Sequence, residues 1–256
     1  MKKAYVDTSR GQMHYRSAGS GTPIILVHVS GSNSQEFEKL GDILADQYAV
    51  YAIDLFGCGY SDPPFAKLTM TEHAHSVIEF MNVMGIEKAY LYGGLVGANV
   101  CARAAAAWPE RVNAVMFAEC VYFPDYAEFR SKREVFSDVP FAEDGSHLLT
   151  YWARTSQFEY PFETKMWRVV AQANAGKFSE CMHQACFEDV DYKYIFSQIK
   201  VPAFVLALEK YAMAPMMRPV AEMIPNGTLV SVDENVYISK ANPELAASLI
   251  RQYMPA

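Results

Sequence analysis

Two periodicities alternate along the chain. Short, nearly continuous apolar runs at 24–27, 50–53, 89–92, 112–118, 202–208 and 228–232 have the length and composition of strands buried on both faces. Between them, 35–46, 71–84, 100–108, 219–224 and 243–253 place apolar residues at helical spacing. Ahead of all these, 4–7 and 12–16 alternate polar with apolar and predict a hairpin turning near Ser9-Arg10-Gly11. Strands alternating with helices predict an α/β fold, a mainly parallel, doubly wound sheet with right-handed crossovers.

The alternation stops after the sixth strand. Residues 125–135, 145–155, 161–175 and 178–187 read as helices in a segment crowded with aromatic side chains. The expected organisation is a core from 1–119 and 201–256, with a helical cap at 120–200. Aromatics such as Tyr126, Phe129, Tyr151, Trp152, Phe158, Trp167 and Phe178 supply first the cap's own packing and then an apolar lining to any cleft beneath it.

Composition narrows the function classes. A net charge of -7 and pI ≈ 5.4 exclude nucleic acid as the expected partner. No apolar stretch reaches the roughly 20 residues that span a bilayer, and the N-terminal residues turn polar too early for a secretory leader. The five cysteines, Cys58, Cys101, Cys120, Cys181 and Cys186, have neither disulfide-framework nor zinc spacing. A reduced, cytoplasmic setting is expected. No metal cluster and no completed Gly-x-Gly-x-x-Gly fingerprint is found, so no cofactor is expected. The oligomeric state is left open.

One stretch organises the chemistry: Tyr90-Leu91-Tyr92-Gly93-Gly94-Leu95-Val96-Gly97-Ala98. An apolar run enters a small-residue helix through a turn flanked by Gly93 and Gly97, where no side chain fits between strand and helix. With His28 after the third strand, Asp54-Leu55-Phe56-Gly57-Cys58-Gly59-Tyr60-Ser61, and Asn242-Pro243-Glu244 before the last helix, the chain resembles the α/β-hydrolase-fold superfamily, in its capped branch of haloalkane dehalogenases and serine hydrolases. The resemblance covers nearly the whole chain. It implies a nucleophile at the turn's apex, a histidine base shortly before the Asn-Pro-Glu signature, and an acid after the seventh strand. The matching positions hold Leu95, Val236 and Tyr211, and no histidine follows His183.

What the resemblance leaves is an alternative acid position at Glu119, after the sixth strand. Glu119 is either a general acid or base, its pKa raised in a site dried by Leu95, Val236 and Val29, or a carboxylate held by loop amides. The family's oxyanion-hole amides fall at Ser30 and Val96, although Val29 replaces the glycine usual before that loop. Further pocket candidates are His28, Cys120, Tyr122, Trp152 and Tyr237. For each a packing or bracing role competes: His28 as a loop brace, Cys120 as a small buried hydrophobe, the aromatics as core. Loss of nucleophile, base and acid together points away from acyl-enzyme hydrolysis. The expected function is a non-hydrolytic enzyme (a cyclase, isomerase, dehydratase or lyase) acting on a hydrophobic small molecule in a biosynthetic pathway. The alternative is a pseudoenzyme that binds a small molecule or a protein.

Overall fold

The computed structural model describes residues 1–120, 122–124, 139, 142–157, 160–186 and 191–256. Eight strands form one sheet in the order β1-β2-β4-β3-β5-β6-β7-β8. They are β1 Lys2–Thr8, β2 Gly11–Ala18, β3 Thr22–Val27, β4 Tyr48–Ile53, β5 Ala89–Gly94, β6 Val112–Ala118, β7 Ala203–Leu208 and β8 Gly227–Val232. The first two make the predicted hairpin and join the rest antiparallel; every pairing from β4 to β8 is parallel.

Alternation within each strand divides the core in two. Val27, Leu91, Phe117 and Val205 face one apolar layer, while Leu26, Tyr92, Met116 and Leu206 face the other. A central strand that buries both faces has no polar position to show, which is why these runs read as continuous.

Around the sheet lie α1 Glu38–Leu44, α2 Met70–Val83, α3 Val96–Ala107, α4 Ser146–Thr155, α5 Phe162–Ala175, α6 Lys177–Ala185, α7 Tyr192–Gln198, α8 Ala214–Met223, α9 Ile238–Ala241 and α10 Pro243–Tyr253. Helices α4 to α7 fall between β6 and β7. The expected helix at 125–135, with Tyr126 and Phe129, lies outside the described residues, as does Phe158. Thr69 starts α2 through a reciprocal capping box with Glu72.

Three boundaries differ from expectation. The 35–46 helix is a 3-10 turn at Ser34–Phe37 followed by α1, because Asn33 caps the turn by accepting from the Gln35 N–H. Helix α3 begins at Val96, directly after the apex, rather than at 100. Helix α8 begins at Ala214 and carries Pro219 inside it, although proline is commonest in a first turn.

Candidate active site

The sheet's register assembles the site. Val27 pairs with Gly93, and Gly94 pairs with Ala118. The residues immediately after β3, β5 and β6 (His28 and Val29, Leu95, Glu119) therefore emerge side by side at the carboxyl edge, where parallel α/β sheets place their chemistry.

The turn at Leu95 is tight for a measurable reason. A Cβ on Gly93 would stand 2.5 Å from the backbone carbonyl carbon of Gly97, and one on Gly97 would stand 2.1 Å from the carbonyl oxygen of Val27. Leu95 itself sits at φ 47, ψ −110. Only two other non-glycine residues among those described have positive φ: Glu119 at 62 and Tyr237 at 64. Each costs of order 1–3 kcal/mol, and such strain concentrates at functional sites. Here Glu119 meets Tyr237 through a hydrogen bond, and Leu95 donates its N–H to the carbonyl of Ala118, the residue before Glu119.

Tyr237's left-handed conformation turns two successive amides toward one acceptor. The Tyr237 N–H donates to Glu119 Oε1 at 2.6 Å and the Ile238 N–H to the same oxygen at 3.3 Å. The other oxygen, Oε2, packs against Gly94, 2.5 Å from where a Cβ there would be. Glu119 is buried. Burial, and then the negative charge of Glu36, push its carboxyl from 4.5 up to about 8 against the two amide hydrogen bonds.

Glu36 is a second buried acid. It lies on the turn before α1 and accepts from the Ser32 hydroxyl at 2.8 Å. Burial raises its carboxyl to about 7, with Ser32 and Arg168 opposing. Arg168 comes from the opposite side, on α5. That helix buries Thr164, Trp167, Arg168, Ala171 and Ala175, one face at helical spacing. The Arg168 guanidinium lies 5.4 Å from the centre of the Tyr237 ring, which in turn is 5.7 Å from the Tyr160 ring. Sequence reading missed Glu36 and Arg168. The signal available was a charged residue on the buried stripe of an amphipathic helix.

The remaining candidates separate. Val236 is buried, and its carbonyl accepts from the Tyr160 hydroxyl at 2.8 Å. Tyr211 is half-buried, its hydroxyl 3.5 Å from Met213 Sδ. Ser30 occupies the turn closed by the Ser32 N–H donating to Val29 O at 3.2 Å, and Val96 opens α3. His28 is fully buried with both ring nitrogens engaged: Nδ1–H donates to Val29 O at 2.7 Å, and Nε2 accepts from the Leu55 N–H at 3.0 Å. Burial lowers its pKa, so it braces two loops as neutral imidazole.

Cys120 lies within the core layer that holds Phe117 and Val205, and burial raises its thiol far above the ordinary value. Tyr122 packs against that layer and donates its backbone N–H to Met216 O. Trp152 meets the exposed Phe162 ring at 5.9 Å. These three thus have packing partners of their own. Asp54, in the glycine-bracketed loop, receives the Ser34 and Tyr60 amides and His14 Nδ1–H and so closes that loop. Among the described residues no group of three histidine, cysteine, aspartate or glutamate side chains can hold a metal.

Comparison with known proteins agrees with this geometry. The profile of a family described as alpha/beta hydrolase fold matches residues 22–232. The acetyltransferase component of an acetoin cleaving system from Cupriavidus necator is 34% identical over 122 residues, 47% of this chain and 33% of that protein. Haloalkane dehalogenase 2 of Mycobacterium tuberculosis is 28% identical over 138 residues, 53% of this chain and 48% of its own length. The matches thus span between a third and a half of these curated relatives. A hydrolase of solved structure from Pseudomonas aeruginosa superposes with a TM-score of 0.85 at 17% identity, covering 100% of this chain and 99% of that one. At that identity the likeness is one of fold.

Proposed function

The chain belongs to the alpha/beta hydrolase fold family, and from that premise we propose that it uses the fold without the family's nucleophile, as a non-hydrolytic acid–base enzyme. The reaction is of lyase, isomerase, dehydratase or cyclase type on a hydrophobic small molecule in a biosynthetic pathway, beneath a helical cap formed by 120–200. Leu95, Val236 and Tyr211 take the positions of nucleophile, base and acid, and Glu119 is the catalytic residue.

The observation that carries this reading is Glu119, an acid raised to about 8 beside an aliphatic apex. Near neutrality such a carboxyl keeps its proton and can both give and recover one. With Oε1 receiving two amides, the proton resides on Oε2, on the side of Gly94 and Val29. Leu95 and Val236 exclude water, which strengthens every charge–dipole interaction in the site. The amides of Ser30 and Val96 are the donors available to a developing oxyanion, and Tyr237 orients Glu119 from below.

The test begins with mass spectrometry of small molecules retained on purification, followed by turnover of the compound identified. Glu119→Gln keeps Oε1-like acceptance but carries no transferable proton. It is expected to lower turnover by about 10²–10⁴-fold while the compound still binds. A second reading, a binding module, has one observation in its favour: Glu119 is 1% exposed with two amides on one oxygen, the geometry of a structural staple. Unchanged turnover in Glu119→Gln, or altered affinity alone, would select it.

A further inference from the structure

Arg103 lies on α3 with 6% of its surface exposed, and a cavity of about 320 Å³ reaches it. Its Nη1 donates to Asn99 O at 3.3 Å, and the guanidinium stands 5.4 Å from the centre of the Tyr192 ring, whose hydroxyl it also meets. These partners are neutral. None of the ion pairs among the described residues includes Arg103. A guanidinium fork carries more donors than a carbonyl and a phenol take. No nitrogen of the group is enclosed without a partner, so the remaining donors open on the cavity. A buried cation is costly unless something negative meets it.

The rest of the lining is suited to an anion. Lys67 supplies a second cation, and the first turn of α2 brings in Thr69, Met70 and Thr71. At that helix start the Met70 and Thr71 N–H groups have no carbonyl of the helix to bond, while the Thr69 hydroxyl caps the Glu72 N–H. Glu72, the acid of that turn, is folded back on the cap. Its Oε2 accepts from the Thr69 N–H at 2.9 Å and hydroxyl at 3.0 Å, and its Oε1 meets Arg10 at 3.4 Å. No acid is among the described residues that line the cavity, in a chain of net charge -7. Leu68, Ala185 and Ile195 give it an apolar wall. A carboxylate would match one cation and leave the other donors unmet. A phosphate monoester carries about -1.5 to -2 near pH 7 and has oxygens for a guanidinium, an ammonium and helix amides. The volume is at the small end of ligand pockets, roughly 300–1,000 Å³.

We propose that this cavity binds a small phosphomonoester, its phosphate held by Arg103, Lys67 and the first amides of α2, and its short organic group set against Leu68 and Ile195. The site is separate from the one at Glu119: neither Glu119, Leu95 nor Tyr237 lines it. The inference stands independently of the acid–base reading.

The experiment is calorimetric titration of the full chain with n-butyl phosphate, inorganic phosphate and pentanoate, each at low and at high salt. Wild type is expected to bind butyl phosphate more tightly than either of the others, and less tightly as salt rises. Arg103→Met should weaken that binding by about 10- to 100-fold, the worth of hydrogen bonds to a charged group. Lys67→Gln changes an exposed side chain; it should weaken binding by about 2- to 5-fold and flatten the salt dependence. If Arg103→Met does not fold, Lys67→Gln decides. Glu119→Gln should bind butyl phosphate as wild type does; a changed affinity there would place the ligand in the other site and overturn the proposal. No binding of butyl phosphate by wild type, pentanoate or inorganic phosphate bound as tightly, or an affinity unmoved in Lys67→Gln would overturn it too. A last arm separates the sources of a phosphomonoester: sedimentation with phosphatidylcholine vesicles, with and without phosphatidic acid. Capture by the phosphatidic acid vesicles without binding of butyl phosphate would assign the cavity to a lipid headgroup and overturn the small-molecule assignment.

Discussion

Glu119→Gln makes a thermodynamic prediction that needs no substrate. In the folded chain the Glu119 carboxyl titrates near 8, against an ordinary 4.5. Between those values the folded state holds a proton that the unfolded state has released. Stability is therefore fully expressed below about pH 4.5 and is lost as pH rises toward 8, at about 1.36 kcal/mol per pH unit. For Glu119 alone the loss is of the order of 5 kcal/mol, a large share of a domain's about 5–15 kcal/mol. Glutamine matches the neutral carboxyl in shape, and its carbonyl can accept the Tyr237 and Ile238 amides. Urea unfolding at intervals from pH 4.5 to 8.5 should show the two proteins nearly alike at the acid end and the variant clearly more stable at the alkaline end. Glu36, raised to about 7, leaves a residual slope in the variant. Parallel curves, or a wild type that gains stability between pH 5 and 8, would refute a proton on Glu119.

Other consequences are as direct. Gly97→Ala puts a Cβ 2.1 Å from Val27 O and should cost about 3 kcal/mol or more in urea unfolding, since backbone must move on both sides. Asp54→Asn should destabilise by about 2–4 kcal/mol, because a buried acceptor of the Ser34 and Tyr60 amides and of His14 loses its charge. Burial alone would raise the Asp54 pKa, but the His14 hydrogen bond with the other donors lowers it below 3.8; that contribution is present above the ordinary value and disappears as pH falls through the lowered one. His28→Ala strands the Leu55 N–H and opens a cavity in the loop, so thermal unfolding should come earlier by the equivalent of about 2–4 kcal/mol. Leu95→Ser should acquire no esterase activity on 4-nitrophenyl acetate, because the imidazole next to it at the sheet edge, His28, has both ring nitrogens engaged, Nδ1 with Val29 O and Nε2 with the Leu55 N–H.

The strands and the turn at Leu95 were legible because each carries a local signal. A strand buried on two faces must be apolar throughout, and the approach of α3 to β5 at Gly93 and to β3 at Gly97 admits only glycine at those positions. Glu119 could be placed for the same reason: it is simply the residue after β6. What surrounds it could not. Arg168 reaches Tyr237 across a sequence separation of about seventy residues and through the orientation of α5. Glu36 is buried because Asn33 caps a short 3-10 turn rather than a full helix. The left-handed conformation of Tyr237, which aims two amides at Glu119, has no signature in a residue type that rarely adopts it. Side-chain contacts are likewise not written in the sequence: Cys120 packs within the core layer of Phe117, and Trp152 meets the Phe162 ring.

The central claim is that this member of the family carries no activated nucleophile. Incubation of the purified chain with a fluorophosphonate, followed by intact-mass measurement and peptide mapping, tests it most directly. An unmodified mass after prolonged exposure is the expected result. A stoichiometric adduct on any serine would contradict it.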